Sequence, residues 1–222
     1  MRVWDLPLRI FHWGFMVSVF GAIISAKAGV LWVHERFGLL ILALISFRII
    51  WGFVGGHHAR FRNFLVGPLR LLAWLRSARE DKTTPRAAGH SPLGGYSVLA
   101  LLGVPLLMVS TGIVSTDGIL FDGPLAHLVP ALSADAGKIH HDIGIFLLLL
   151  IILHLGAILF YKFKKKHNLT SAMVTGRASE ERDQINGPEG SISTGKTVFG
   201  LVLMAGLIAA AQMIILLRPS FF

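Results

Sequence analysis

Apolar positions along the chain gather into five long runs separated by polar stretches. The runs extend from about Leu8 to Ala26, Leu31 to Val54, Gly95 to Val114, Lys138 to Phe160 and Val198 to Leu217. Each reaches about the 20 residues that an α-helix needs to cross a bilayer, so the pattern predicts an all-α integral membrane protein. The stretch Pro68 to Arg79 differs, with Leu69, Leu72 and Leu75 at helical spacing and arginines opposite. That pattern predicts an interfacial helix, not a span. Between Thr175 and Gly195 the chain is polar and contains glycine, as a linker to the last helix would be.

Composition narrows the class. Of 222 residues 54% are hydrophobic and 15% charged, against about 25% charged in a soluble domain. The absence of cysteine excludes disulfides, thiolate metal sites, iron–sulfur clusters and covalent c-type haem. The net charge of +9 is unevenly placed. The N-terminal end and the stretches 48–94 and 162–196 hold 17 of the 21 lysines and arginines. The intervening outer segments hold only Lys27, Arg36, Lys138 and Arg218, beside Asp117, Asp122 and Asp135. The positive-inside rule then puts the N-terminus in the cytoplasm of a bacterial inner membrane and, after five spans, the C-terminus in the periplasm. The positive charge therefore addresses membrane lipid and topology, and nucleic acid is not an expected partner.

Four of the ten histidines fall within or at the ends of spans, where ionisable residues are rare and functional by default. His140 and His154 both lie on the fourth run. The fourteen helical steps between them return to within roughly 40° of the same face, about 21 Å further along. That distance suits two stacked cofactors and is too wide for one metal ion. Depth supplies each partner. His12 matches His154 near the cytoplasmic side, and His34 matches His140 near the outer side. Two trans pairs of neutral imidazoles in a helical bundle are what two bis-histidine, non-covalent haems b require.

Three more positions bear on this reading. Gly38 and Gly144 each come one turn after a proposed ligand. They either leave room for a porphyrin edge or serve the helix packing for which membrane helices use glycine. Arg48 shares the second run and the helix face of His34, and lies at the depth of the cytoplasmic-side pair. A buried guanidinium there needs an anion such as a haem propionate; snorkelling to the interface is the alternative. His141 is about 100° from His140 and available to the outer haem edge. His57 and His58 are open to interfacial, quinone-adjacent or solvated roles, and His90, His127 and His167 read as solvated. Trp4, Trp32, Trp51 and Trp74 read as interfacial belt residues.

The stretch Arg9-Ile10-Phe11-His12-Trp13 and the run Arg48-Ile49-Ile50-Trp51-Gly52-Phe53-Val54-Gly55 resemble the bacterial cytochrome b561 family. So do Gly89-His90-Ser91-Pro92, the His140-to-His154 spacing and Met173-Val174-Thr175-Gly176-Arg177. The family includes the b-type subunit of nickel–iron hydrogenases and small quinone-linked oxidoreductases. The resemblance covers about residues 3 to 178. It implies haem-iron axial ligation by His12, His34, His140 and His154, on the first, second and fourth spans. The fifth helix and His141, where the family more often has Glu or Arg, depart from its pattern.

These readings divide the chain into a four-helix di-haem cytochrome b domain (1–178), a cytoplasmic linker (179–197) and a C-terminal transmembrane helix (198–222). The expected function is electron transfer between a quinone, ubiquinone or menaquinone, and a periplasmic redox partner such as a c-type cytochrome or a hydrogenase-like enzyme. The alternatives are a stand-alone, superoxide-oxidase-like oxidoreductase acting on a small molecule, and a non-redox, His-lined transporter. The last helix carries no ionisable residue but offers Gly206 and Ala210 as a small-residue face. That face would let it pack on its own four-helix core, on a second copy or on a partner's anchor, and an intermolecular role is expected because the four-helix core looks complete without it.

Overall fold

The computed structural model describes residues 2–80, 89–119, 121–178 and 190–219. The helices are α1 (Leu6–Lys27), α2 (Leu31–Val54), α3 (Pro68–Glu80), α4 (Pro92–Gly112), α5 (Pro130–Phe163), α6 (Leu169–Thr175) and α7 (Thr194–Gln212), the last continuing as 3-10 turns to Leu217. Helices α1, α2, α4, α5 and α7 with its extension are long and apolar enough to cross a membrane. No strand forms among the described residues; two isolated bridges, Arg2 with Arg177 and Thr116 with Asp122, are the only extended pairings there. The protein is all-α and membrane-spanning, as the apolar runs require.

Helix α5 starts two turns before the apolar run that predicts it. Pro130 occupies its first position, where a missing N–H costs nothing and the fixed φ suits the helix. Most of the expected linker, residues 179–189, lies outside the described residues. Beyond it the chain re-enters helix at Thr194, one turn earlier than the apolar run, with the Lys196 N–H donating to Ser193 Oγ at 3.3 Å.

The chain forms two units, one of residues 1–10, 49–100 and 152–200 and the other of residues 11–48, 101–151 and 201–222. In the first, Asp5 joins three segments. Its carboxylate accepts from the Leu8 N–H at 2.9 Å, capping α1. It also accepts from Trp51 Nε1 at 3.1 Å and from the Gly56 N–H at 3.2 Å. Trp51 is 0% exposed, so it is a core residue and not the belt residue its position suggested. Here the N-cap carboxylate supplies the buried partner that an indole N–H needs.

In the second unit α1 and α2 approach closely. A Cβ at Gly21 would lie 2.5 Å from the Phe37 ring, and Phe11 packs 6.3 Å from Phe47 between ring centroids. Only glycine admits that phenyl ring against the α1 backbone.

The last helix makes contacts within its own chain. In the first unit a Cβ at Gly200 would lie 2.7 Å from the Trp51 ring and 3.0 Å from Pro7. In the second, Arg218 pairs with Glu35 and donates to the Asp122 carbonyl. Arg36 and Gln212 exchange hydrogen bonds, the Arg36 guanidinium donating to Gln212 Oε1 and the Gln212 amide to the Arg36 carbonyl. Met204 and Ala211 are buried, while Gly206 and Ala210 are exposed. Part of the helix thus packs within the chain, while the Gly206 and Ala210 face stays exposed. Truncation after Lys196 uncovers Trp51 and leaves Glu35 without its arginine. Several kcal/mol of packing would go, lowering the melting temperature by roughly 10 °C in a thermal scan of the purified protein. An unchanged melting temperature would restore the purely intermolecular reading.

Candidate functional site

Helix α5 carries its chemistry on one stripe. Ala136, His140, Gly144, Leu147, Ile151, His154 and Ile158 are buried or half-buried, and the residues between these turns are largely exposed. Spacings of three and four keep such a stripe on one face of a 3.6-residue helix. His140 and His154 share that face, as their separation predicts. His141 does not: its side chain is 87% exposed, beside Asp142. The expectation that it reaches an outer cofactor edge is therefore withdrawn, because it projects outward one helical step off the stripe.

His34 and His140 come together in the second unit. Their ring centroids are 5.9 Å apart, with planes at 87°. The His34 Nδ1 lies 2.8 Å from the Ala22 carbonyl of α1, and the His140 Nδ1 lies 2.7 Å from the Met108 carbonyl of α4. A carbonyl can only accept, so each Nδ1 bears the proton and each Nε2 keeps its lone pair. A backbone acceptor at the far nitrogen is what orients a metal-binding imidazole and fixes its tautomer. Two imidazoles on one metal, at about 2.0 Å per metal–nitrogen bond, would hold their centroids roughly 6 Å apart. The observed spacing fits. Among the described residues no three His, Cys, Asp or Glu side chains converge, so this pair offers two imidazole nitrogens and no third side-chain ligand of these types.

The space beside Gly38 and Gly144 is open. A Cβ at Gly38 would meet nothing within 4 Å, and one at Gly144 only the Met108 methyl at 3.9 Å. Gly112, which sequence spacing did not single out, lies against His140: a Cβ there would be 2.9 Å from the imidazole. No local pattern marks it, because its partner sits on the next span of the chain. Arg48 is 2% exposed and lies in the second unit, so its guanidinium is inside the protein and does not snorkel outward. His12, in the second unit, and His154, in the first, are each half-buried.

The first unit gathers histidines that the sequence left as solvated or undecided. His90 packs against Trp4 at 4.8 Å and Phe64 at 4.5 Å between ring centroids. His58 is buried, with Trp4 at 6.3 Å and His57 at 5.0 Å. Burial pushes the His57 imidazole below its usual pKa, and His58, Arg60 and Arg62 push it the same way. His90 is thus a packed residue, not a solvated one. Trp4 belongs to the same aromatic cluster and is not a belt residue.

The prokaryotic cytochrome b561 family matches residues 3–176. That is most of the chain. The chain belongs to the prokaryotic cytochrome b561 family. It is accordingly a multi-pass membrane protein of a family that transfers electrons through haem b. The family match ends at Gly176, before α7. The chain is also 24% identical over 209 residues to a probable Ni/Fe-hydrogenase B-type cytochrome subunit of Azotobacter vinelandii, covering 78% of this chain and 86% of that protein. A protein of the same name from Azotobacter chroococcum mcd 1 is 23% identical with the same coverage. No solved structure matches the chain significantly.

Proposed function

We propose that this cytochrome binds two haems b, one between His34 and His140 and one between His12 and His154, and carries electrons across the bacterial cytoplasmic membrane between a quinone and a redox partner on the opposite face. The observation that carries the reading is the His34–His140 pair, with both Nδ1 atoms held by backbone carbonyls and the rings 5.9 Å apart. The second pair rests on depth. His154 shares one stripe of α5 with His140, and the position of His12 along the first apolar run supports it as the partner of His154. Haem supplies a reversible one-electron couple on iron. The chain's own residues set its surroundings. The carbonyl-held imidazoles of His34 and His140 would hold one iron and the imidazoles of His12 and His154 the other, Gly38, Gly112 and Gly144 would leave space, and Arg48 would offer a positive charge to a propionate. The distribution of lysine and arginine supports an N-terminus in the cytoplasm and a C-terminus in the periplasm. The hydrogenase subunit names of the two relatives support a hydrogenase-like enzyme as the partner.

Haem count tests this directly. Acid-acetone should extract all the haem from the purified protein, and a pyridine haemochrome should give about two per chain. One haem would remove the second pair, and a colourless protein would remove the reading altogether.

Arg48 gives a second test. Replacing it with Leu removes a buried positive charge that opposes the charge of oxidised iron. The reduction potential of the His12/His154 haem should fall, while that of the other haem changes less. Redox titration of the α-band resolves the two. A potential that does not move would place Arg48 outside the haem's field.

A further inference from the structure

The segment Met173-Val174-Thr175-Gly176-Arg177 takes no part in ligation, yet the first unit builds a cleft around it. Arg9 on α1 donates to the carbonyls of Met173, at 3.3 Å, and Val174. Gly176, at φ 77°, ends α6 in the left-handed conformation that glycine adopts freely, and its carbonyl accepts from the Val3 N–H at 2.9 Å. The Arg2–Arg177 bridge completes the strap. Beside it opens a cleft of about 500 Å³, lined by Arg2, Arg9, Arg177, Thr175, Thr194 and Thr197 among others.

Its lining is mainly basic, three arginines to one carboxylate. Among the described residues no carboxylate pairs with any of the three arginines. Asp5 is the acidic residue on the wall, and its oxygens are engaged by Leu8, Trp51 and Gly56. The cleft lies where α1 and α7 begin, and the first turn of α7 adds the positive end of its dipole. The Thr175 and Thr197 hydroxyls already donate to backbone carbonyls, so the arginines are the donors that suit the oxygens of a phosphate ester, and the volume admits a glycerophosphate head. Basic pockets of this kind at helix ends hold anionic lipid head groups.

We propose that this cleft binds a phosphate anion, either the head group of an anionic phospholipid or a free phosphate. The site is separate from the haem ligands and stands whether or not the two-haem reading does.

The test uses the full-length, haem-loaded protein in detergent, titrated with dioleoylphosphatidylglycerol or dioleoylphosphatidylcholine and followed by native mass spectrometry. Sodium phosphate is titrated separately by calorimetry. The wild type should prefer phosphatidylglycerol, and Arg2→Gln/Arg177→Gln should weaken that binding at least tenfold, about the effect of losing a charge-assisted bond. Thr194→Asp, which leaves the strap untouched and suits a helix start, should do the same if the double variant fails to fold. Lys164→Gln/Lys165→Gln, two exposed lysines after α5, should leave binding as it was. The haem spectrum should be unchanged throughout, separating this outcome from any failure of haem ligation. Phosphate binding lost in the variants while lipid binding persists would identify free phosphate as the source. Equal binding of both probes by wild type and variants, or equal weakening by the lysine control, would overturn the proposal.

Discussion

His140→Ala should leave the protein with about one haem per chain instead of about two. The ring lost is half of the pair that carries the proposal, its centroid 5.9 Å from that of His34. A single axial imidazole holds haem b poorly, and the Met108 carbonyl that oriented His140 at 2.7 Å would lose its donor. His34→Ala should give the same spectrum, because either ring is half of one site. His12→Ala should remove the other haem and leave the first. Pyridine haemochrome counts the loss, and low-temperature α-bands show which haem has gone. Exogenous imidazole should partly restore the missing band in His140→Ala, since the proposed ligand His34 remains. Different haems lost in the His34 and His140 variants would break the pairing. Loss of both haems with the helices intact would show that the two sites are not independent.

Asp5→Ala should cost about 3–5 kcal/mol of stability, the largest effect expected away from the haem ligands. The substitution strands two buried donors, Trp51 Nε1 and the Gly56 N–H, and removes the α1 cap at Leu8. Each stranded donor costs about 1–3 kcal/mol and the cap about 1. Asp5→Asn keeps an acceptor oxygen and should recover part of the loss. Reversible unfolding of the purified protein measures both, and a loss below about 1 kcal/mol for the alanine variant would show that Asp5 is not a linchpin. The haem pair should survive at low temperature in both variants, because its hydrogen bonds lie in the other unit.

The spans were legible because lipid leaves the backbone one solution along each apolar run, namely helix. The shared face of His140 and His154 was legible too, because it follows from the pitch of a single helix. The His34–His140 pairing was readable as a match of depth, but its geometry was not. The carbonyls that hold the rings belong to Ala22 and Met108, residues with nothing in their side chains to advertise the role. Gly112 was silent for the same reason.

Trp51 and His90 were misread because position near a span end is shared by belt residues and buried ones. Only neighbours from distant parts of the chain, Asp5 for Trp51 and Trp4 with Phe64 for His90, tell them apart. The own-chain contacts of the last helix were not legible, because a lack of ionisable residues says what it cannot ligate and nothing about where it docks. Its anchors are Glu35 and Arg36 in the second unit and Trp51 in the first. Properties periodic along one helix, or dictated by the bilayer as solvent, were therefore determined by the sequence alone. Contacts between helices depend on which backbones approach closely enough to share a hydrogen bond or exclude a Cβ, and the tertiary structure decided those.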